Sequence, residues 1–206
     1  MIKNIIFDMG NVLTAYREDA VAHHFIEDEA ERKEVTEQVF KSKEWLLLDK
    51  GVITDEKALE RMQARLSTPH AKEMAALCLA HWHEYNMEPN QEMGSVVKNL
   101  KERGFGIYLC SNASLRLLEC YRQVIPAIDC FDGILFSSQE KCIKPEKEIF
   151  ERLFEKFALK PSECFFIDDI EENIQGARAC GMDGYCFADQ DVEKLKNVLE
   201  ALPSPI

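Results

Sequence analysis

Five short apolar runs, each closing on polar residues and separated by stretches of helical periodicity, limit most strongly what this chain can fold into. They are Ile2 to Phe7, Phe105 to Cys110, Gly133 to Phe136, Cys164 to Ile167 and Gly184 to Phe187. Runs this short, bounded by polar turns, read as buried strands. The segments between them read as helices. Ile149, Phe150, Leu153, Phe154 and Phe157 share one face of a helix expected to open at Lys144-Pro145, where proline is tolerated in the first turn. Val192, Leu195, Val198, Leu199 and Leu202 follow the same rule, with Asp191 as N-cap and Pro203 just past the end. Strands that alternate with helices pair in parallel, so the expected class is α/β with a Rossmann-like, doubly wound parallel sheet.

The alternation lapses between the first strand and residue 88. Ala20 to Phe40 is charged and amphipathic, Thr54-Asp55-Glu56 caps a helix through Leu66, and Thr68-Pro69 opens another that runs to about Tyr85. This reads as helix only. The expected organisation is therefore a small helical cap domain over 15–88, inserted into a catalytic core made of 1–14 and 89–206. An insertion at this point sits over the carboxyl edge of the sheet, where ligands bind in such folds.

Charge and cysteine content narrow the partners. A net charge of −12 without a Lys/Arg cluster argues against nucleic acid. No apolar stretch approaches transmembrane length, so no membrane partner is expected. The eight cysteines form no C-x-x-C pair and the first residues carry no secretory signal pattern, which favours reduced thiols and a cytoplasmic setting. Nothing in the sequence specifies an oligomeric state.

Four polar elements fall where strands are expected to end. Asp8 follows Ile5-Ile6-Phe7; a carboxylate there can attack phosphorus if a metal and nearby donors neutralise the charge between two anions. Ser111-Asn112 follows Cys110 and precedes a helix, so it suits either phosphate binding or an N-cap. Lys144 is an ammonium able to offset charge on the aspartate and on a phosphate. Asp168-Asp169 places adjacent carboxylates after Ile167; their repulsion is relieved by a divalent cation, and oxygen-only ligands favour Mg²⁺, although an acidic start to a helix over 173–180 explains them too.

Together these elements resemble the haloacid dehalogenase superfamily, through FDMGNVL at 7–13, LCSN at 109–112, KP at 144–145 and FFIDD at 165–169. FDMGNVL and the Gly51-Val52-Ile53-Thr54 stretch look like the bacterial α-D-glucose-1-phosphate phosphatases within it. The resemblance implies a phosphatase acting on a small phosphorylated metabolite, with Asp8 as nucleophile and Mg²⁺ as cofactor. It implies Asp8, the Gly10 carbonyl, Asp168 and Asp169 as metal ligands, with Asp169 the preferred direct one. It also implies Ser111, Asn112 and Lys144 as phosphate binders, Lys144 sharing in catalysis, and the aromatic Trp45 in the substrate pocket.

Gly10 departs from the pattern. Many phosphatases of this superfamily carry a second aspartate there, which protonates the leaving oxygen and then activates water; glycine cannot transfer a proton. The expected substrate is therefore an activated monoester such as a sugar 1-phosphate, with Glu171, Glu172 or a cap residue as candidates for activating water. Two other readings stand beside it: a dehalogenase, whose relatives also lack the second aspartate, and a catalytically idle phosphate-binding regulator. His81-Trp82-His83 is a poor metal pair, because residues two apart on a helix point to different sides.

Overall fold

The computed structural model describes residues 1–205. Strand β1 (Asn4–Phe7) opens the chain, and β2 (Thr14–Tyr16) follows after a tight turn. Five helices come next: α1 (Ala20–Phe25), α2 (Glu29–Val39), α3 (Lys43–Asp49), α4 (Asp55–Gln63) and α5 (Pro69–Tyr85). Strand β3 (Met87–Pro89) and helix α6 (Gln91–Glu102) lead back to β4 (Gly106–Ser111) and α7 (Leu117–Val124). The rest alternates: β5 (Gly133–Phe136), α8 (Ser137–Glu140), α9 (Lys147–Phe157), β6 (Cys164–Asp168), α10 (Glu171–Ala179), β7 (Asp183–Cys186) and α11 (Val192–Glu200).

The five apolar runs become one parallel sheet in the order β5-β4-β1-β6-β7. β1 lies at its centre, in register with β4 (Phe7 opposite Leu109) and with β6 (Phe7 opposite Ile167). Because successive side chains point to opposite faces, Ile5 and Phe7 enter one core with Ile107, Leu109, Phe165 and Ile167, while Ile6 enters another with Leu135 and Phe166. Ile149, Phe150 and Leu153 of α9 and Ile174 and Ala177 of α10 close the second face. The first core runs on without a break into the helical insertion, through Val35, Val39, Met62, Ala75 and Trp82. A doubly wound α/β fold follows directly from this two-sided burial.

Two expectations about local structure need correction. The stretch over 15–88 is not helix only: β2 and β3 pair antiparallel, Thr14 opposite Pro89 and Tyr16 opposite Met87, and they straddle the expected boundaries at 14/15 and 88/89. The charged, amphipathic stretch from Ala20 to Phe40 forms two helices, since Asp28 adopts an extended conformation and accepts the Glu31 N–H, starting α2 afresh. Pro145 is not in a first helical turn. The Lys144-Pro145 peptide is cis, Glu146 is the N-cap and α9 begins at Lys147.

One glycine sets how closely the insertion approaches the sheet. Gly51 has φ of +69°, and a Cβ placed on it would lie 2.2 Å from the Ser138 carbonyl oxygen. The same segment is tied to residues around α8 and α9: Ser137 Oγ donates to the Asp49 carbonyl, Lys50 pairs with Glu146 at 2.6 Å, and Lys141 Nζ donates to the Gly51 carbonyl. All eight cysteines are free thiols. Among the described residues, no helix is long and apolar enough to cross a membrane.

Candidate active site

Parallel pairing brings the carboxyl ends of β1, β4 and β6 side by side, and the site grows from them. Asp8 is the first residue beyond β1, and its N–H donates to the Ile167 carbonyl at 2.9 Å, which fixes it beside β6. Ser111 ends β4 and Asp168 ends β6, both fully buried. Lys144 arrives from the loop after α8. Its Nζ lies 2.8 Å from Asp8 Oδ1 and 2.6 Å from Asp168 Oδ2. Asn112 holds that loop in place, donating from Nδ2 to the Lys144 carbonyl at 3.0 Å and accepting the Lys144 N–H at 2.8 Å.

Neither Ser111 nor Asn112 is an N-cap. The next helix starts at Leu117 with Arg116 before it and no side-chain cap, so the polar pair is free of that structural duty. The acidic pair is likewise not a helix start: α10 opens at Glu171, with Ile170 as N-cap. Asp168 accepts from the Ile170 N–H at 2.9 Å and from Asn173 Nδ2 at 3.0 Å, which orients it toward Lys144. Asp169 accepts from Asn11 Nδ2 at 3.1 Å. Asn11 reaches it from a left-handed turn at φ of 54° directly after Gly10.

Electrostatics at this edge are unbalanced toward negative charge. Ligand oxygens of Asp8, Asp168 and Asp169 all lie within 4.8 Å of one another. Three carboxylates against one ammonium leave a negative excess where Asp8 and Asp168 are buried and Asp169 is partly buried. Burial pushes the Asp8 carboxyl up to about 6; the Lys144 ammonium pulls the other way, and Asp168 adds to the rise. Burial alone would lower Lys144, but Asp8 and Asp168 more than offset it and hold the ammonium well above the ordinary lysine value. Asp169 is also raised, first by burial. Among the described residues, the only cation that reaches Asp8 Oδ1 is Lys144, which it shares with Asp168.

An all-oxygen donor set with surplus negative charge, its carboxylate oxygens within 4.8 Å of one another, fits a hard divalent cation. Gly10, next to this set, has open space on its Cβ side, with nothing within 4 Å of an added Cβ.

Above these residues lies a cavity of about 190 Å³. Its floor is Asp8, Gly10, Ser111, Asn112, Lys144 and Asp169, so the residues singled out from the sequence converge on one space, except Asp168, which is buried behind it. Its walls are mostly apolar and come from the insertion and the β2–β3 pair: Trp45, Trp82, Tyr16 and Met87. Trp45 packs edge-on to Trp82 with ring centroids 5.1 Å apart, and Tyr16 meets Trp82 at 6.3 Å. Four wall residues escaped the sequence reading: Tyr16, Asp49, Trp82 and Asn11. Trp82 stands between His81 and His83, whose spacing is wrong for a shared metal ion. His81 instead pairs with Glu84 at 2.8 Å.

Residues 2–181 match the haloacid dehalogenase-like hydrolase family. The chain belongs to that family. It is accordingly a hydrolase, on the α/β fold its strand pattern predicts. Among curated relatives it is 26% identical to a sesquiterpene phosphatase, astK, of Aspergillus oryzae, over 91% of this chain and 90% of that protein. Among solved structures it resembles a HAD family enzyme, bt-2542, of Bacteroides thetaiotaomicron (25% identity, 95% and 98% of the two chains, TM-score 0.74). The L-2-haloacid dehalogenase of Xanthobacter autotrophicus shares the fold at 17% identity, over 100% and 85% of the two chains, with a TM-score of 0.66.

Proposed function

We propose that this hydrolase is a Mg²⁺-dependent phosphatase that cleaves a small phosphate monoester through an aspartyl-phosphate on Asp8. The observation that carries the reading is the charge at the strand ends: three clustered carboxylates answered by a single ammonium. In this reading Asp8, the Gly10 carbonyl, Asp168 and Asp169 hold the ion. Asp169 is its direct carboxylate ligand beside Asp8, because Asp168 is already engaged by Lys144 and Asn173. The ion supplies charge neutralisation between the nucleophile and the phosphate.

The remaining chemistry belongs to the chain. Asp8 attacks phosphorus from a fixed backbone position. Lys144 lowers the repulsion between that carboxylate and the incoming phosphoryl oxygens, and the Ser111 hydroxyl with Asn112 orients them. The insertion acts as the cap that closes over the substrate, and its aromatic walls exclude water around the bond that breaks.

The substrate class we assign is a sugar 1-phosphate, as in the α-D-glucose-1-phosphate phosphatases that the sequence resembles. The cavity is small, and its aromatic walls of Tyr16, Trp45 and Trp82 suit the C–H surface of a sugar ring. The name of the Aspergillus relative supports the phosphatase chemistry and offers an apolar alcohol as the competing leaving group.

A dehalogenase is the second reading, favoured by Gly10 alone; it leaves the acidic surplus without a use. The test is a screen of phosphate monoesters and 2-chloro acids with and without Mg²⁺. Phosphate release that requires Mg²⁺ and vanishes in Asp8→Asn is expected. Metal-independent chloride release would overturn the proposal, and glycerol phosphate cleaved as fast as glucose 1-phosphate would overturn the substrate class.

A further inference from the structure

The cap helix α3 ends at Asp49, whose side chain lines the same cavity as Asp8 and Gly10. We propose, resting on the phosphatase reading above, that Asp49 is the acid–base residue of the reaction, taking the part that Gly10 cannot. Its placement is built rather than incidental. Three contacts pin the segment Asp49-Lys50-Gly51 onto the residues around α8 and α9, and Gly51 admits the close approach that a side chain would prevent. A carboxyl delivered from the cap faces the cavity from above, where the leaving group of a phosphate bound at the floor must lie.

The surroundings of Asp49 suit a proton carrier. Burial pushes its carboxyl up to about 7; the Ser114 N–H opposes this, and the charge of Asp8 adds to it. The groups that act on it or feel its charge are Asp8 beyond β1, the Tyr16 hydroxyl of β2 and the Ser114 N–H before α7, while Lys144, across the same cavity, is held by Asp8 and Asp168. Its position at the carboxyl end of α3 disfavours a negative charge further.

In the first step an Asp8 oxygen bonds to phosphorus, the bond from phosphorus to the leaving oxygen breaks, and that oxygen takes the Asp49 proton to depart as an alcohol. In the second, a water oxygen bonds to phosphorus as its proton passes to Asp49, and the bond from Asp8 to phosphorus breaks. Inorganic phosphate leaves, and both aspartates return to their starting states. With Asp49 supplying the proton, an activated leaving group is no longer demanded by Gly10, and selectivity falls to the aromatic walls.

The test measures single-turnover phosphorylation of Asp8 by acetyl phosphate, whose leaving group needs no proton, and by hexose 1-phosphate and an alkyl phosphate, whose leaving groups do. For Asp49→Asn, phosphorylation by acetyl phosphate stays within a few-fold of wild type, while phosphorylation by the alkyl ester falls by about 10²- to 10⁴-fold. The phosphoenzyme then accumulates because water attack is slowed as well, and Asp49→Glu recovers part of the loss. Equal slowing with all donors, or alkyl ester turnover unchanged in Asp49→Asn, overturns the assignment. If the unsubstituted protein transfers no phosphoryl group from any donor, the phosphatase reading itself fails, and the two failures are thereby told apart.

Discussion

Replacing Lys144 by methionine removes the only cation from a buried cluster while nearly preserving side-chain volume. Nζ sits 2.8 Å from Asp8 and 2.6 Å from Asp168, and only 3% of the residue is exposed. At an effective dielectric of about 20, each contact is worth roughly 6 kcal/mol in gross attraction, most of which is offset by desolvating the charges. Removing one partner strands the other two, so we expect a net loss of about 3–5 kcal/mol. The assay is urea denaturation in chelator at pH 7.5, comparing wild type with Lys144→Met.

The deficit has a predicted pH dependence. Asp8 is already raised from 3.8 to about 6 in the folded protein, and loss of the ammonium raises it further. A carboxyl raised on folding adds stability below its unfolded pKa, and that stability is lost as pH rises through the folded pKa. The Lys144→Met deficit should therefore shrink as pH falls from 7.5 toward 5. Mg²⁺ at about 100 times its dissociation constant should return roughly 2.7 kcal/mol at pH 7.5. A variant as stable as wild type at pH 7.5, or a deficit blind to both acid and Mg²⁺, would refute the charge argument.

Gly51→Ala should lower stability by about 1–3 kcal/mol, read as a lowered Tm, because a Cβ collides with the Ser138 backbone at a positive φ. It should also lower kcat by shifting Asp49. Asn112→Ala removes both side-chain bonds to the Lys144 backbone and a group that orients the phosphoryl oxygens; we expect a fall in kcat/KM of about tenfold or more, measured by phosphate release. Trp82→Ala, at 5% exposure beneath Trp45 and Tyr16, should cost about 3–5 kcal/mol by denaturation, whereas the less buried Trp45→Ala should mainly raise KM.

Elements whose apolar pattern is continuous were legible from the residues alone. β1, β4 and β6 lie inside the sheet and are largely buried, the edge strands β5 and β7 less so, yet each leaves a short, mostly apolar run, and the ends of the inner three placed Asp8, Ser111 and Asp168 in advance. β2 and β3 left no such trace. They are three residues long, one carries Glu88 and Pro89, and only their mutual pairing makes them strands. The register of Pro145 was missed because helical periodicity marks the apolar face of α9 but not its first residue.

The side of the site formed by the helical insertion was hidden for another reason. Asp49 is one of 37 acidic residues, and nothing local separates it from those on a solvated face. Trp82 shares the helical spacing of ordinary core positions in α5. Their role arises from how α3 and α5 are set over the sheet edge, which depends on long-range contacts such as those of Gly51. Asn11 was legible in principle, since an Asn in a strand-end turn is a natural left-handed residue.

The account stands most directly on the covalent chemistry of Asp8. The protein should be mixed with acetyl phosphate and Mg²⁺, quenched within one turnover, digested and mapped by mass spectrometry. A phosphoryl group on the peptide carrying Asp8, absent in Asp8→Asn and absent without Mg²⁺, is the predicted result. Phosphate release at full rate with no label on that peptide, or with the label on another side chain, would contradict it.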